Sequence, residues 1–434
     1  MLHRPKEGNK KCEEIPLPKK GNKLMTNKKI AVRAAAVLLS AMTLASCSGE
    51  AHIISYESGE VTKAAEESPE ISKESIKAAL LLPVDPAGGS CMSSAHETAF
   101  NAAADQLGIA ATVIYDALPE DTETLTKDAN VIFGSNYDYM NALDESAKAN
   151  TDKLYSCFGG YKYNSTNYTN YYTAIYEAQY LAGITAGTNT KSGKIGIISE
   201  YSAEYPDSAA EINSFALGAR AARSDAEIMV YSLGSRSDTS KAEEYTKSLI
   251  DKGCDVISIQ CDTASPAKAA SAKGVSFIGY GIDMSSLGEG CLTSVMWNLK
   301  DYYLSALTSA SSGTWAGENY YGNLAGGAVE LSTLSADADV KTQARIDSAV
   351  ELIKNGQFKI FSNNKLVFDA AGKATVEKVA LIDNKANVMI SEDGASCFIY
   401  SGEELKAIDP SSVTSDKLAS ATMNYIVEGV TVIQ

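Results

Sequence analysis

Residues 170–199 read NYYTAIYEAQYLAGITAGTNTKSGKIGIIS. Ala174, Tyr176, Tyr180, Leu181 and Ile184 recur at near-helical spacing, which predicts a long helix with one apolar face. Gly187 and the polar run 188–193 (TNTKSG) end it. Lys194-Ile195-Gly196-Ile197-Ile198 then opens a buried strand. A strand that starts a second αβ series at mid-chain predicts a passage from one lobe to another.

Upstream, residues 78–84 (AALLLPV) form a continuous apolar run bounded by Pro and Gly, the pattern of a buried parallel strand. The loop that follows, DPAGGSCMSS, opens a helix. Gly88 and Gly89 permit close backbone approach, and a helix N-terminus offers free N–H groups. Ligands of open α/β sheets bind at such carboxyl ends of strands, although a plain turn reads the same way. The loop is neither GxGxxG nor a P-loop. Strands are predicted over 111–115 and 130–134, with a polar helix over 121–128. The second strand runs into SNYDYMNA, where Asn136, Tyr137 and Tyr139 sit; tyrosines there suit stacking on a flat ring or ordinary packing. Residues 160–172 (GYKYNSTNYTNYY) read as an exposed rim or a surface loop.

Downstream, strands at 194–199, 227–233, 255–260 and 275–280 alternate with helices at 209–222, 241–252 and 266–273. The strands lack strict alternation, so a parallel sheet covered on both faces is expected. Two such series make two similar lobes with a cleft between them. The strand ends of the second lobe carry Glu200 and Tyr201, Arg236 and Asp238, Gln260 and Asp262, and Tyr280 to Asp283. An ionised carboxylate there accepts both O–H groups of a vicinal diol. Asp283 fits that role or the cap of the turn DMSS, and Arg236 fits a ring, a polar edge or plain surface. A strand at 293–297 leads back to the first lobe through Trp297 and Asn298, and a third crossing falls near Gly326-Gly327. Three crossings make a hinge that closes by rotation. A helix is expected over 337–355 and a strand over 358–361. Lobe one is thus assigned 76–190 plus 296–326, lobe two 191–295 plus 327–361. Residues 362–434 form a C-terminal extension of strand-like hairpins that returns to the hinge at 423–430.

The chain has 434 residues and a formal net charge of -16. Residues 1–47 hold ten Lys/Arg and three Asp/Glu, so the rest, with 28 basic and 51 acidic residues, carries -23. That balance argues against nucleic acid, whose phosphates must be neutralised. From Met25, a basic segment with Lys28, Lys29 and Arg33 leads into an apolar run over 34–45, too short to span a bilayer but suited to a signal peptide. It ends in Leu44-Ala45-Ser46-Cys47, a bacterial lipobox, with Cys47 as the acylated residue. Residues 1–24 read as an upstream extension or mis-start, and the polar, acidic stretch 48–75 as a flexible tether. None of the eight cysteines forms a CxxC pair, and no zinc spacing appears. His3 and His52 lie outside the folded part, and His96 has no nucleophile motif beside it. No catalytic machinery and no cofactor are expected.

IYEAQYLAG and TKSGKIG of the central stretch, INSFALGAR at 212–220, the run from LTS through Trp297-Asn298, Tyr302-Tyr303 and Gly313-Thr314-Trp315 to GGAVEL at 326–331, and MNYIVEGV at 423–430 resemble the basic membrane protein family. That family comprises substrate-binding lipoproteins of ABC transporters, typically for nucleosides. The resemblance implies a two-lobed, periplasmic-binding-protein-like (type I) α/β fold. It also implies a nucleoside or purine ligand, permease and ATPase partners, and an extracytoplasmic lipoprotein anchored to a bacterial membrane. The family's ligand loop is kept at Pro86, Gly88, Ala95 and His96, while Gly89 and Met92 stand where the family has an acid and an aromatic residue. GYGIDMS keeps Asp283 but has Gly281 at the family's first Asp. The candidate ligand-binding set is Gly88, Gly89, Met92, Ser93, His96, Asn136, Tyr137, Tyr139, Tyr201, Arg236, Asp262, Tyr280, Asp283, Trp297 and Asn298. Riboflavin, a sugar, a receptor role for residues 365–420 and a carboxylate-only hydrolase are the competing readings.

Overall fold

The structure is a computed structural model describing residues 68–164, 166–315, 319–362, 364–378, 389–390, 397–401, 404–408, 423 and 426–433. The signal peptide, Cys47 and residues 48–67 lie outside the described residues. Residues 68–75, expected to be tether, are folded: the Ile71 side chain is buried and its N–H donates to Ala310 O at 3.2 Å.

The first series runs β1 (Lys77–Leu81), α1 (Cys91–Leu107), β2 (Ala110–Ile114), α2 (Thr122–Leu125), β3 (Val131–Gly134), α3 (Met140–Ala149), β4 (Leu154–Phe158) and β5 (Tyr168–Thr173). The second runs α4 (Ile175–Asn189), β6 (Lys194–Ser199), α5 (Pro206–Ala222), β7 (Glu227–Ser232), α6 (Thr239–Asp251), β8 (Val256–Gln260), α7 (Ser265–Ala272), β9 (Ser276–Gly281) and β10 (Cys291–Trp297). Then follow α8 (Lys300–Ser312), β11 (Tyr320–Gly322), β12 (Val329–Leu331) and α9 (Thr342–Lys354). Beyond them come the hairpin β13 (Asn364–Phe368) and β14 (Ala374–Lys378), the three-stranded set β15 (Met389–Ile390), β16 (Cys397–Ser401) and β17 (Glu404–Ile408), and β18 (Val430–Ile433).

Sheet one has the order β11-β5-β4-β3-β1-β2 and sheet two β12-β10-β9-β8-β6-β7-β18. Only β12, against β10, is antiparallel in these two sheets. Within each, the first strand of the series lies between the second and the third. This doubly wound order reverses direction beside β1 and beside β6, and places a crevice at the carboxyl ends of the strands. Strands of such sheets are covered on both faces, which is why β3, β4 and β8 are buried at every position.

Five expectations are corrected. The helix of the central stretch does not belong to lobe one. α4 packs on α5, and Gly183 and Gly187 let the backbones touch, since a Cβ on either would stand 2.0 or 2.2 Å from the carbonyls of Phe215 and Ala219. The passage between lobes therefore comes at Thr173–Ala174, where Ala174 N donates to Gly322 O at 2.7 Å. Nor is α4 apolar on one face only: its residues 175–187 are buried all round apart from Glu177, as expected of a helix enclosed by other elements. Residues 168–173 are no rim but strand β5, with Tyr168, Asn170 and Tyr171 fully buried. Residues 358–361 form no strand although Phe358, Ile360 and Phe361 are buried; and of residues 423–430, expected at the hinge, Val427 N–H donates to Asn213 Oδ1 of α5 at 3.0 Å and Gly429 O accepts from Ile228 N–H of β7 at 2.9 Å, leading into β18 at the edge of sheet two. No helix among the described residues is long and apolar enough to cross a membrane.

Candidate functional site

The carboxyl ends of both sheets face one another across a cavity of about 320 Å³. From lobe one, Met92 on α1, Tyr137 and Asp138 after β3, Gly159 after β4 and Tyr172 at the end of β5 line it. From lobe two come Glu200 and Tyr201 after β6, the first turns of α5 from Tyr205 to Glu211, Arg236 after β7, Tyr280 on β9 and Trp297 on β10. Pro206 starts α5 with its fixed φ at the position where a missing N–H costs nothing. That aims the helix N-terminus, with Asp207 in the first turn and Glu211 one turn on, at the cavity.

Aromatic pairs build the walls. Tyr280 and Trp297 meet edge to face at 5.1 Å between centroids, Trp297 in turn meets Phe158 at 6.2 Å, and Tyr201 lies 5.0 Å from Tyr205. Trp297 Nε1 is enclosed with no acceptor among the described residues. Carboxylates line the second lobe's side. Glu211 accepts from Tyr280 Oη at 3.1 Å and from Gln179 Nε2 at 2.9 Å. Burial pushes its carboxyl up to about 7 despite those bonds, and burial also lifts Asp207 to about 7 against a hydrogen bond from Tyr172. Glu200 is raised well above the usual carboxylate range, burial outweighing the Arg236 charge, and its Oε1 is enclosed without a partner.

Besides the Tyr172–Asp207 hydrogen bond, an ion pair and a buried carboxylate tie the lobes together. Arg236 Nη2 stands 3.5 Å from Asp138 Oδ2. Burial works against the Arg236 charge, but Asp138 and Glu200 raise its pKa overall. Asp138 is more than half exposed, so this pair is worth about 0–1 kcal/mol. The second tie is buried: Asp262, after β8, accepts from Ser90 Oγ at 2.6 Å and Met92 N–H at 2.7 Å. A carboxylate of lobe two thus caps the N-terminus of α1 in lobe one, where the helix dipole favours negative charge. Gly281 belongs to the same seam. Its φ is +81°, and a Cβ there would stand 3.1 Å from that of Cys91, so a side chain at this position meets both strain and α1.

Of the candidate set, Met92, Tyr137, Tyr201, Arg236, Tyr280 and Trp297 line the cavity. The others lie elsewhere. Gly88 and Gly89 border a separate outer recess beside α6 and α7. Ser93 is buried in α1, its N–H donating to Ser90 Oγ at 3.1 Å. His96 sits in the core of lobe one, with Nδ1 2.8 Å from Tyr303 Oη, and burial lowers its pKa to about 3. Asn136 caps a short turn by accepting from Asp138 N–H at 3.0 Å, and Tyr139 is buried with its hydroxyl donating to Ala117 O at 2.8 Å. Asp262 is in the seam rather than on the cavity wall. Asp283 is exposed and accepts from Ser285 N–H at 2.9 Å, the turn-capping alternative. Asn298 lies in a hinge connection, its N–H donating to Ala328 O at 2.9 Å. Absent from the candidate set were Asp138, Gly159, Tyr172, Glu200 and the α5 turn with Asp207 and Glu211. Glu200 carried the usable signal, since it stands directly after a strand.

No group of three or more His, Cys, Asp or Glu among the described residues is placed to hold a metal ion. Among curated proteins, the chain is 28% identical over 279 residues to a putative ABC transporter glucose-binding protein of Haloferax volcanii, covering 63% of this chain and 71% of that one. It is 29% identical over 234 residues to a purine-binding protein of Brucella abortus, covering 54% and 65%. A solute-binding protein of an ABC transporter system from Conexibacter woesei shares the fold with a TM-score of 0.56 at 20% identity, over 65% of this chain and 98% of that one. A transcriptional activator of the comK gene from Bacillus halodurans does so at 0.57 and 21%, over 65% and 99%. At such identity these two likenesses speak for the type I periplasmic-binding-protein-like fold and not for function. The family described as ABC transporter substrate-binding protein, PnrA-like (Bmp) matches residues 97–364, which takes in most of both lobes, the Arg236–Asp138 pair and all of the cavity wall except Met92. The chain belongs to that family of extracytoplasmic substrate-binding proteins, whose members hand a small-molecule ligand to an ABC permease.

Proposed function

We propose that this protein is a membrane-anchored lipoprotein that captures a nucleoside or purine between its lobes and delivers it, unchanged, to an ABC permease. The observation that carries the reading is the aromatic-walled cavity at the carboxyl ends of both sheets, bridged by Asp262 and Arg236. Aromatic faces accept a flat base, and the carboxylates of α5 accept the hydroxyls of a sugar. The Brucella relative's description as purine-binding supports the base, and Cys47 in its lipobox supports the anchor. A sugar is the second reading. The Haloferax relative is described as glucose-binding, and four carboxylates round one cavity are apt acceptors for a polyol.

A thermal-shift panel of nucleosides, free bases, riboflavin and sugars separates these readings. A ligand at about 100 times its Kd adds about 2.7 kcal/mol to stability. A shift confined to nucleosides or bases, with the ligand recovered intact, is expected. A shift with sugars alone replaces the first reading by the second, and release of a hydrolysis product overturns delivery. Changing Cys47→Ser is expected to move the protein from the membrane fraction to the soluble one, and an unaltered distribution removes the anchor.

A further inference from the structure

The polar groups of the cavity wall are unevenly matched. Four carboxylates line it, from Asp138, Glu200, Asp207 and Glu211, against one cation, Arg236. Arg236 is paired with Asp138 at 3.5 Å and its charge also reaches Glu200, so one cation is shared by two of the four carboxylates and none is paired with Asp207 or Glu211 among the described residues. Glu211 is already served by two donors and Asp207 by Tyr172, but Glu200 Oε1 is enclosed and accepts from no group among the described residues. An enclosed acceptor left unmade is costly, and burial keeps the Glu200 carboxyl protonated in the ligand-free cavity, so an arriving cation displaces that proton to solvent. Side-chain amides, which both donate and accept and so suit the edges of neutral bases and sugars, do not line the cavity among the described residues. What surrounds the carboxylates instead is aromatic, and aromatic faces attract cations. The cation that fits is not a bare metal ion, because the carboxylates are spread round the wall and do not converge as a ligand set among the described residues.

We propose that the natural ligand carries a positively charged nitrogen that lodges against Glu200, flanked by Asp207 and Glu211 and faced by the tyrosines of lobe two. The ligand class is a small amine-bearing solute, such as an amino-substituted nucleoside or sugar. This rests on the capture reading above and narrows it, with Glu200 as the residue that sets specificity.

Calorimetric titration of the full chain with two matched pairs tests it: adenosine against 5′-amino-5′-deoxyadenosine, and glucose against glucosamine. At least one amine is expected to bind about tenfold or more tighter than its neutral partner at neutral pH, as charge-assisted hydrogen bonding implies. Glu200→Gln keeps the shape of the side chain and is expected to bring that preference to about threefold or less. Binding in which neither amine exceeds its neutral partner, or a preference that survives Glu200→Gln, overturns the inference and leaves capture standing. Silence from all four probes together with a silent thermal-shift panel overturns capture itself. The wild-type comparison needs no variant, so misfolding of Glu200→Gln does not blunt the test.

Discussion

Asp207 and Glu211 tie the cavity to the stability of the whole chain. Burial raises both to about 7, whereas an unfolded carboxyl titrates near 4. The folded state therefore holds the extra protons, and the stabilisation, complete below about pH 4, is lost as pH rises through about 7. His96 acts in the opposite sense on the acid side, because burial keeps its ring neutral down to about pH 3 while the unfolded ring takes up a proton near 6.5. Between about pH 6.5 and 8 the loss from the two carboxyls outweighs the smaller remaining gain from His96, so the ligand-free Tm is expected to fall by about 2 °C or more. Asp207→Asn with Glu211→Gln should flatten that slope in a scanning calorimeter, and an unchanged slope would show that neither group titrates there. Residues at strand ends were legible in sequence, because the rule that ligands meet carboxyl ends depends only on the order of elements. Tyr137, Tyr201, Arg236, Tyr280 and Trp297 reach the cavity on that rule. His96 and Asp283 misled because a side chain's chemistry says nothing of its depth: one is sealed behind Tyr303, the other faces solvent. Asp207 and Glu211 were invisible because acids in the first turns of a helix are ordinarily solvated, and only tertiary neighbours cover these two: Tyr172 of lobe one at Asp207, Gln179 and Tyr280 of lobe two at Glu211.

At the scale of elements, the crossing of α4 and α5 determines where the chain changes lobes. Gly183 and Gly187 of one helix meet the carbonyls of the other, and Gly218 returns the contact, its Cβ position standing 2.0 Å from Tyr180 O. Backbone cannot yield as a flexible side chain does. Gly183→Ala is therefore expected to cost about 1–3 kcal/mol, and Gly183→Val more. Urea unfolding would measure it, and a loss under 0.5 kcal/mol, the usual bound for an uncritical site, would show that the helices can part. The βα alternation of the second lobe was readable because apolar runs of strand length separate helices of ordinary length. β5 was hidden by composition: Tyr168 and Tyr171 in a Tyr/Asn tract look like a rim, yet Tyr171 stacks on Tyr302 at 4.1 Å and its hydroxyl lies 2.8 Å from that of Tyr303. Aromatic residues that carry a hydroxyl fill a core when a second hydroxyl meets them, and sequence does not show which partner α8 brings.

At the scale of the molecule, three connections and one buried carboxylate govern the angle between lobes. Asp262 caps α1 across the seam without touching the cavity wall, so it stabilises the closed arrangement whether or not a ligand is present. Asp262→Ala removes both hydrogen bonds. The ligand-free protein is then expected to open, with a larger radius of gyration in small-angle scattering and faster ligand release, and an identical scattering curve would deny the seam its role. Sheet two draws on the chain from β6 at residue 194 to β18 at residue 433, and β7 lacks its outer neighbour until β18 is added. On a ribosome or in a secretion channel the polypeptide emerges in order, and this lobe cannot close its edge while residues 430–433 are still inside. For that interval β7 exposes a row of unpaired backbone groups, the kind of edge to which a neighbouring nascent chain adds. Until residues 430–433 arrive, that edge of sheet two stays open to any strand that reaches it first.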